Sequence, residues 1–134
     1  MNGQLTKNFN LREFQCPCCR KVPDVDDQEF VELYESLQSL RNNCKLPIYI
    51  NSGFRCTIHN IEVGGVKTSQ HLKGHAADII APPLTIPVLF EQVKTIQRFV
   101  DGGILVYETF IHVDVRKRRY FRNYSDYNLA MIRS

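Results

Sequence analysis

The sequence predicts an α+β fold, a small antiparallel sheet with helices packed on one side, and three observations carry that prediction. Two segments place apolar residues at helical spacing, several short apolar runs have strand length, and two of those runs lie close together near the carboxyl end, as the arms of a hairpin do. A chain of 134 residues suits one domain with one core, expected over residues 1–134. With 43% hydrophobic and 23% charged residues, the composition excludes a disordered or collagen-like chain.

Residues 9–14 are expected to form a short helical turn or a lid, with Phe9, Leu11 and Phe14 offered to a core before the cysteines Cys16, Cys18 and Cys19. Pro23, Asp24, Asp26 and Asp27 supply helix-start chemistry. Phe30, Leu33, Tyr34, Leu37 and Leu40 follow at helical spacing to about Asn43. Residues 46–51 read as a strand with Pro47 at its mouth, and the chain leaves it in a turn at Ser52, Gly53, Phe54 and Arg55. A short helix over 56–61 and a glycine-containing loop over 63–68 then deliver Ser69 and His71. Residues 78–81 form a strand that Pro82 and Pro83 stop. Thr85 caps a helix with Pro87 in its first turn and an apolar face of Val88, Leu89, Val93 and Ile96, ended by Gly102 and Gly103. Residues 104–106 and 111–115 are neighbouring strands joined through 107–110. The tail carries Tyr120, Phe121, Tyr124 and Tyr127 among basic residues.

The formal charge of +3 is mild and sits in Arg116, Lys117, Arg118, Arg119, Arg122 and Arg133. Such a run is a solvated surface or a contact for an anionic polymer. A nucleic-acid reading of the basic, aromatic tail leaves the histidines and aspartates below without a use, so no specific nucleic-acid partner is expected. No segment approaches the ~20 apolar residues needed to span a bilayer, and the amino terminus has no apolar signal core. The expectation is a monomer made in the cytoplasm without a signal peptide and not inserted in a membrane. Reduced thiols are then the default for the five cysteines, with a second structural zinc or a disulfide formed after release as alternatives.

The chemistry centres on residues 69–79, where His71 and Asp78 stand seven residues apart across Gly74. A histidine on a loop followed by an aspartate on a strand is a metal-site arrangement. Imidazole nitrogen and carboxylate oxygen are ordinary ligands of zinc, which in a catalytic site takes three protein groups and leaves a position for water. The alternating run 110–115 supplies the third candidate, because it aims Phe110, His112 and Asp114 at one face of a strand. His59 and His75 are expected on the surface or in loops, and Asn60 is expected to fasten the turn that presents Arg55.

Three stretches together resemble the zinc D-Ala-D-Ala carboxypeptidase family, whose relatives include phage L-alanyl-D-glutamate endolysins, D-Ala-D-Ala dipeptidases and the hedgehog amino-terminal domain. They are Ser52, Gly53, Phe54 and Arg55; Ser69, His71, Gly74, Ala76 and Asp78; and His112, Asp114 and Arg116. Residues 9–19 look like the small phage and prophage branch, so the resemblance runs from about Phe9 to Arg119. It implies a hedgehog/DD-peptidase-like fold and a Zn2+ ion held by His71, Asp78 and His112. Arg55 matches the family arginine associated with substrate binding, where it would pair a substrate carboxylate or the developing oxyanion. Ser69 would orient His71, bond substrate or cap the backbone. Better-known relatives carry an acid three residues before the last histidine ligand, where this chain has Thr109, which leaves Asp114 and Glu108 as competing general bases. A Tyr-Glu pair in the hedgehog domain looks like Tyr107 and Glu108; in that alignment Asp114 becomes the ligand and His112 the catalytic histidine. The preferred assignment keeps His112 as ligand.

The function so implied is a zinc metallopeptidase that hydrolyses peptide bonds in peptidoglycan stem peptides, as a D,D- or L,D-type carboxypeptidase or endopeptidase, and acts on the cell wall after release, as phage and prophage endolysins do. The alternative is a noncatalytic zinc-containing binding module of the same fold.

Overall fold

The structure, a computed structural model, describes residues 3–129 and residue 131. Its architecture is the expected α+β, with one addition in the tail. Phe9 and Phe14 are buried in the core, so the opening segment is a helical turn rather than a lid. The turn Leu11–Phe14 is 3-10, held by a reciprocal cap in which Asn10 accepts from the third residue and Glu13 reaches back to the Asn10 amide. Helix α1 spans Gln28–Cys44. It starts at Asp27, whose carboxylate accepts from Glu29 N, and stops at Lys45 in the left-handed region. Strand β1 (Tyr49–Ser52) leads to α2 (Thr57–Glu62), a second 3-10 turn (Gln70–Lys73) and β2 (Ala76–Ile80).

The helix expected from Thr85 to Gly102 is two helices, α3 (Ile86–Val93) and α4 (Gln97–Val100). Thr95 explains the break: its hydroxyl donates to the Gln92 carbonyl at 2.6 Å and competes for an acceptor the helix would use. The apolar face accordingly shifts. Ile86, Leu89, Phe90 and Val93 are buried, whereas Val88 is exposed.

Strands β3 (Gly103–Val106) and β4 (Ile111–Asp114) form the expected hairpin. Strand β5 (Tyr120–Asn123), from the aromatic tail, adds to β3 in parallel, so the sheet is mixed, with order β1-β2-β4-β3-β5. Strand alternation sets its two faces. Ala77 and Ile79 on β2, Ile111 and Val113 on β4, and Ile104 and Val106 on β3 join the core with Phe30, Leu33, Leu37 and Phe99 of the helices. Each large apolar side chain so buried contributes about 1.5–3 kcal/mol. The opposite parity puts Asp78, His112 and Asp114 on the other face, where all three are buried. In register, Asp78 pairs with His112, and β1 bulges between Ile50 and Ser52 beside Asp78.

Gly103, paired with Asp114, has no room for a side chain: a Cβ there would lie 2.6 Å from Asp114 Cγ. Gly103→Ala is therefore expected to cost about 1–3 kcal/mol by overpacking a fixed, buried carboxylate. Equilibrium denaturation checks this; an unchanged midpoint would contradict the close approach.

Candidate metal centre

Three side chains meet on that other face of the sheet. His71 Nε2 lies 3.1 Å from Asp78 Oδ1, His112 Nδ1 lies 3.2 Å from the same oxygen, and the two ring nitrogens are 3.2 Å apart. All three residues are buried. Local structure aims them. Ser69 caps the 3-10 turn by accepting from His71 N at 3.2 Å, and Gly74 ends it at φ 75°, a left-handed position favouring glycine. Asp78 and His112 face each other across β2 and β4.

The outer edges of both rings are committed. His71 Nδ1 sits 2.7 Å from the Gly53 carbonyl, which only accepts, so that nitrogen carries a proton. His112 Nε2 sits 2.7 Å from Asp114 Oδ2 and donates to it. In the neutral rings, Nε2 of His71 and Nδ1 of His112 are then lone pairs turned inward onto a carboxylate oxygen. Three acceptors without a donor between them form a cation site. Ligands about 2.0–2.1 Å from a tetrahedral zinc lie about 3.3 Å apart, and the observed triangle has the dimensions of one face of that tetrahedron. The donor set and the spacing both fit zinc.

Charge in the cluster follows from these contacts. Burial pushes the Asp78 carboxyl up, but bonds to His112 and His71 outweigh it and hold the group well below the usual carboxylate range. Burial likewise pulls His112 down, yet bonds to Asp114 and Asp78 prevail and raise it above its ordinary value. In metal-free protein a proton on His112 thus stands where a cation would. A raised folded pKa contributes stability below the unfolded value of 6.5 that is lost as pH rises through the folded one. In chelator, metal-free protein is expected to lose more stability, or gain less, between about pH 6 and about pH 8.5 than its His112→Ala variant: Asp78 and Asp114 stay ionised over that window, and the opposing gain from the Cys16 thiol, which burial pushes up but backbone amides lower to about 6, is common to both proteins. Denaturant midpoints measure this, and the same change in midpoint in both proteins would exclude the proton as stand-in.

The cluster lies in the wall of a cavity of about 540 Å3. Arg55 also lines it, donating from Nε to Ser52 Oγ (3.1 Å), from Nη1 to Asn60 Oδ1 (3.2 Å) and from Nη2 to Asp78 Oδ2 (3.2 Å). Asn60, buried, donates in turn to the Val66 carbonyl at 2.9 Å and fastens the Arg55 turn as expected. Asp114 is not in the cavity wall. It is fully buried behind His112, and its oxygens also accept from Arg116 N, Nε and Nη2. Glu108 is not brought to the cluster either: its carboxylate accepts from Asp126 N and its carbonyl from Tyr127 Oη. His59 pairs with Glu62, and His75 Nε2 lies 2.7 Å from Asp27 Oδ2, both outside the triangle.

Composition and spacing had not pointed to the part of the wall that Tyr107, Arg116, Tyr120 and Tyr124 supply. Tyr107 stacks on Phe110 (4.5 Å) and Tyr124 (5.2 Å), and Tyr120 lies under the guanidinium groups of Arg116 (4.6 Å) and Arg122 (4.2 Å). The signal available was the four-residue spacing of Tyr120 and Tyr124 in the tail. The basic run is largely neutralised, with Arg116 on Asp114, Lys117 on Glu29 and Arg119 on Asp101. Arg133 lies outside the described residues.

A family model described as Peptidase M15 matches residues 7–114. The chain belongs to the peptidase M15 family. The matched span contains His71, Asp78, His112 and Arg55 and ends at Asp114, before Arg116, Tyr120 and Tyr124 of the cavity wall. Among curated proteins, a zinc D-Ala-D-Ala carboxypeptidase of Streptomyces albus G is 52% identical over 33 residues, which are 25% of this M15 chain and 13% of that relative's length. No helix among the described residues is long and apolar enough to cross a membrane.

Proposed function

We propose that this M15 family member is a zinc-dependent peptidase that hydrolyses peptide bonds in peptidoglycan stem peptides. The observation that carries this reading is the inward convergence of His71 Nε2, Asp78 Oδ1 and His112 Nδ1 on the wall of a cavity shared with Arg55. These three residues would hold the ion. When bound, zinc supplies polarisation of the scissile carbonyl and a water made acidic enough to attack near neutral pH.

The protein's own groups do the rest. A guanidinium has five N–H donors; three of those of Arg55 are used on Ser52, Asn60 and Asp78, which leaves two for a substrate carboxylate or oxyanion. Tyr107 faces the same space, and burial raises its pKa, so its phenol stays protonated and able to donate. The stacked tyrosines give the peptide an apolar bed. Asp114 holds His112 in the tautomer that turns Nδ1 inward, a positioning role in place of the base role weighed for it. Ser69 acts as the backbone cap of the His71 turn.

One observation favours the noncatalytic module: Asp78 is the sole carboxylate among the described residues lining the cavity, so no second carboxylate stands ready as a base. Incubating zinc-loaded protein with purified stem-peptide fragments and reading the products by mass spectrometry separates the two readings. Zinc-dependent cleavage is expected, and its site identifies the bond and hence the D,D- or L,D-specificity. Bound zinc without cleavage of carboxypeptidase or endopeptidase substrates would establish the binding module. A phage or prophage lysin acting after release from the cell in which it is made remains the setting in which we place the activity, and cleavage of intact walls only from outside the membrane tests that.

A further inference from the structure

A second group of metal-ligating side chains gathers away from the cavity, where the hydrolysis makes no use of it. The Sγ atoms of Cys16, Cys19 and Cys56 all lie within 4.8 Å of one another, and none of these cysteines is in a disulfide. Thiolates about 2.3 Å from a tetrahedral zinc lie about 3.8 Å apart, so small side-chain adjustments close the triangle.

The surrounding backbone is arranged for sulfur that carries charge. Cys56 N donates to Cys16 Sγ (3.4 Å), Lys21 N to Cys19 Sγ (3.5 Å) and His59 N to Cys56 Sγ (3.4 Å). Each of the three sulfurs therefore receives an amide, and an N–H bond to sulfur favours the ionised form. Cys16 and Cys19 are separated by two residues, the gap at which one tight turn presents two thiolates to one ion. That turn is closed by Arg20 N on the Cys16 carbonyl (2.8 Å) and Cys16 N on the Lys21 carbonyl (2.9 Å), with Arg20 at φ 64°. Lys21 lines the same shallow cleft as Cys19 and Cys56 and brings a positive charge beside the excess negative charge of three thiolates on a divalent ion.

We propose that Cys16, Cys19 and Cys56 hold a structural zinc ion, with its fourth position on the side of the exposed Cys18, whose thiol bonds Cys56. Soft thiolates select zinc over harder divalent ions, and each coordinating thiol gives up its proton on binding. The ion ties the amino-terminal knuckle to the turn that carries Arg55, the residue before Cys56. The two segments already touch through Phe54 N on the Phe14 carbonyl (2.9 Å). One wall of the cavity is thereby braced from behind.

The test uses the full chain purified under reductant and reads metal, so it stands apart from whether the chain hydrolyses anything. His71→Ala removes the first site. That variant is expected to keep one equivalent of zinc, and its cobalt-substituted form to show intense thiolate-to-cobalt charge-transfer absorption. Adding Cys19→Ser, at an exposed position, should abolish both while far-UV circular dichroism stays unchanged; Cys56→Ser serves as the second variant if Cys19→Ser misfolds. No zinc in His71→Ala protein with all thiols titrated as free, or zinc retained after both serine substitutions, would overturn the proposal. So would a disulfide among these three cysteines that forms in the presence of excess zinc once the reductant is removed.

Discussion

His71→Ala is expected to lower zinc-dependent cleavage of stem-peptide fragments by about 10³-fold or more while leaving the fold in place. The size follows from what the residue contributes. A bound metal supplies several kcal/mol of transition-state charge stabilisation, and about 4 kcal/mol corresponds to three orders of magnitude in rate. His71 provides one of three inward ligand atoms, and its ring is fixed by Gly53 on one side and Asp78 on the other. Two ligands from a buried triangle do not hold an ion in a defined geometry. Substitution is more informative than chelation, because a chelator acts on the cysteine cluster as well. Product formation is followed by mass spectrometry at saturating substrate, with circular dichroism confirming the fold. A rate within tenfold of wild type would remove His71 from the chemistry and with it the three-ligand reading.

The parts of this site that were legible in the sequence are those set by local periodicity. His112 lies between Ile111 and Val113, and Asp78 between Ala77 and Ile79, so the alternation that buries the neighbours in the core turns the polar residues to the other face. Gly74 in the left-handed region likewise announces the turn that carries His71. What failed to show was set by tertiary contacts. Tyr120–Asn123 has no alternation of apolar and polar residues, and its pairing with β3 in parallel depends on where the chain returns after β4. Val88 fits a periodic face only if the helix continues, and Thr95 breaks it. Glu108 and Asp114 share a strand parity with His112, but the turn after β3 carries one toward the tail while Arg116 pins the other behind the histidine. Cys56 is distant in sequence from Cys16 and Cys19, so only the folded Arg55 turn brings them together.

Asp114→Ala is expected to be the most destabilising substitution at the site, by about 3–5 kcal/mol, because it strands two partners of a buried charge. Asp114 is fully buried and accepts from His112 Nε2 at 2.7 Å and from Arg116 Nη2 at 2.7 Å; without it, an imidazole and a guanidinium face a cavity. For a chain of this length the loss corresponds to a fall of about 10 °C or more in Tm. The pH dependence has a definite sign. Burial pushes the Asp114 carboxyl up, but bonds to His112 and Arg116 outweigh it and depress the pKa below its ordinary 3.8. The stabilisation is therefore present above about pH 4 and lost as pH falls toward the folded pKa, so the variant should show a flatter acid limb than wild type. Asp114→Asn decides between positioning and acid-base roles. If the amide turns its NH2 toward His112 Nε2, it asks that nitrogen to accept and puts the proton on Nδ1, facing the ligand position. Zinc affinity should then fall about 10–100-fold, as for other partners that orient metal-binding histidines, while saturating zinc restores most of the rate. A rate that stays low in Asp114→Asn protein shown to be fully zinc-loaded would instead make Asp114 the proton acceptor.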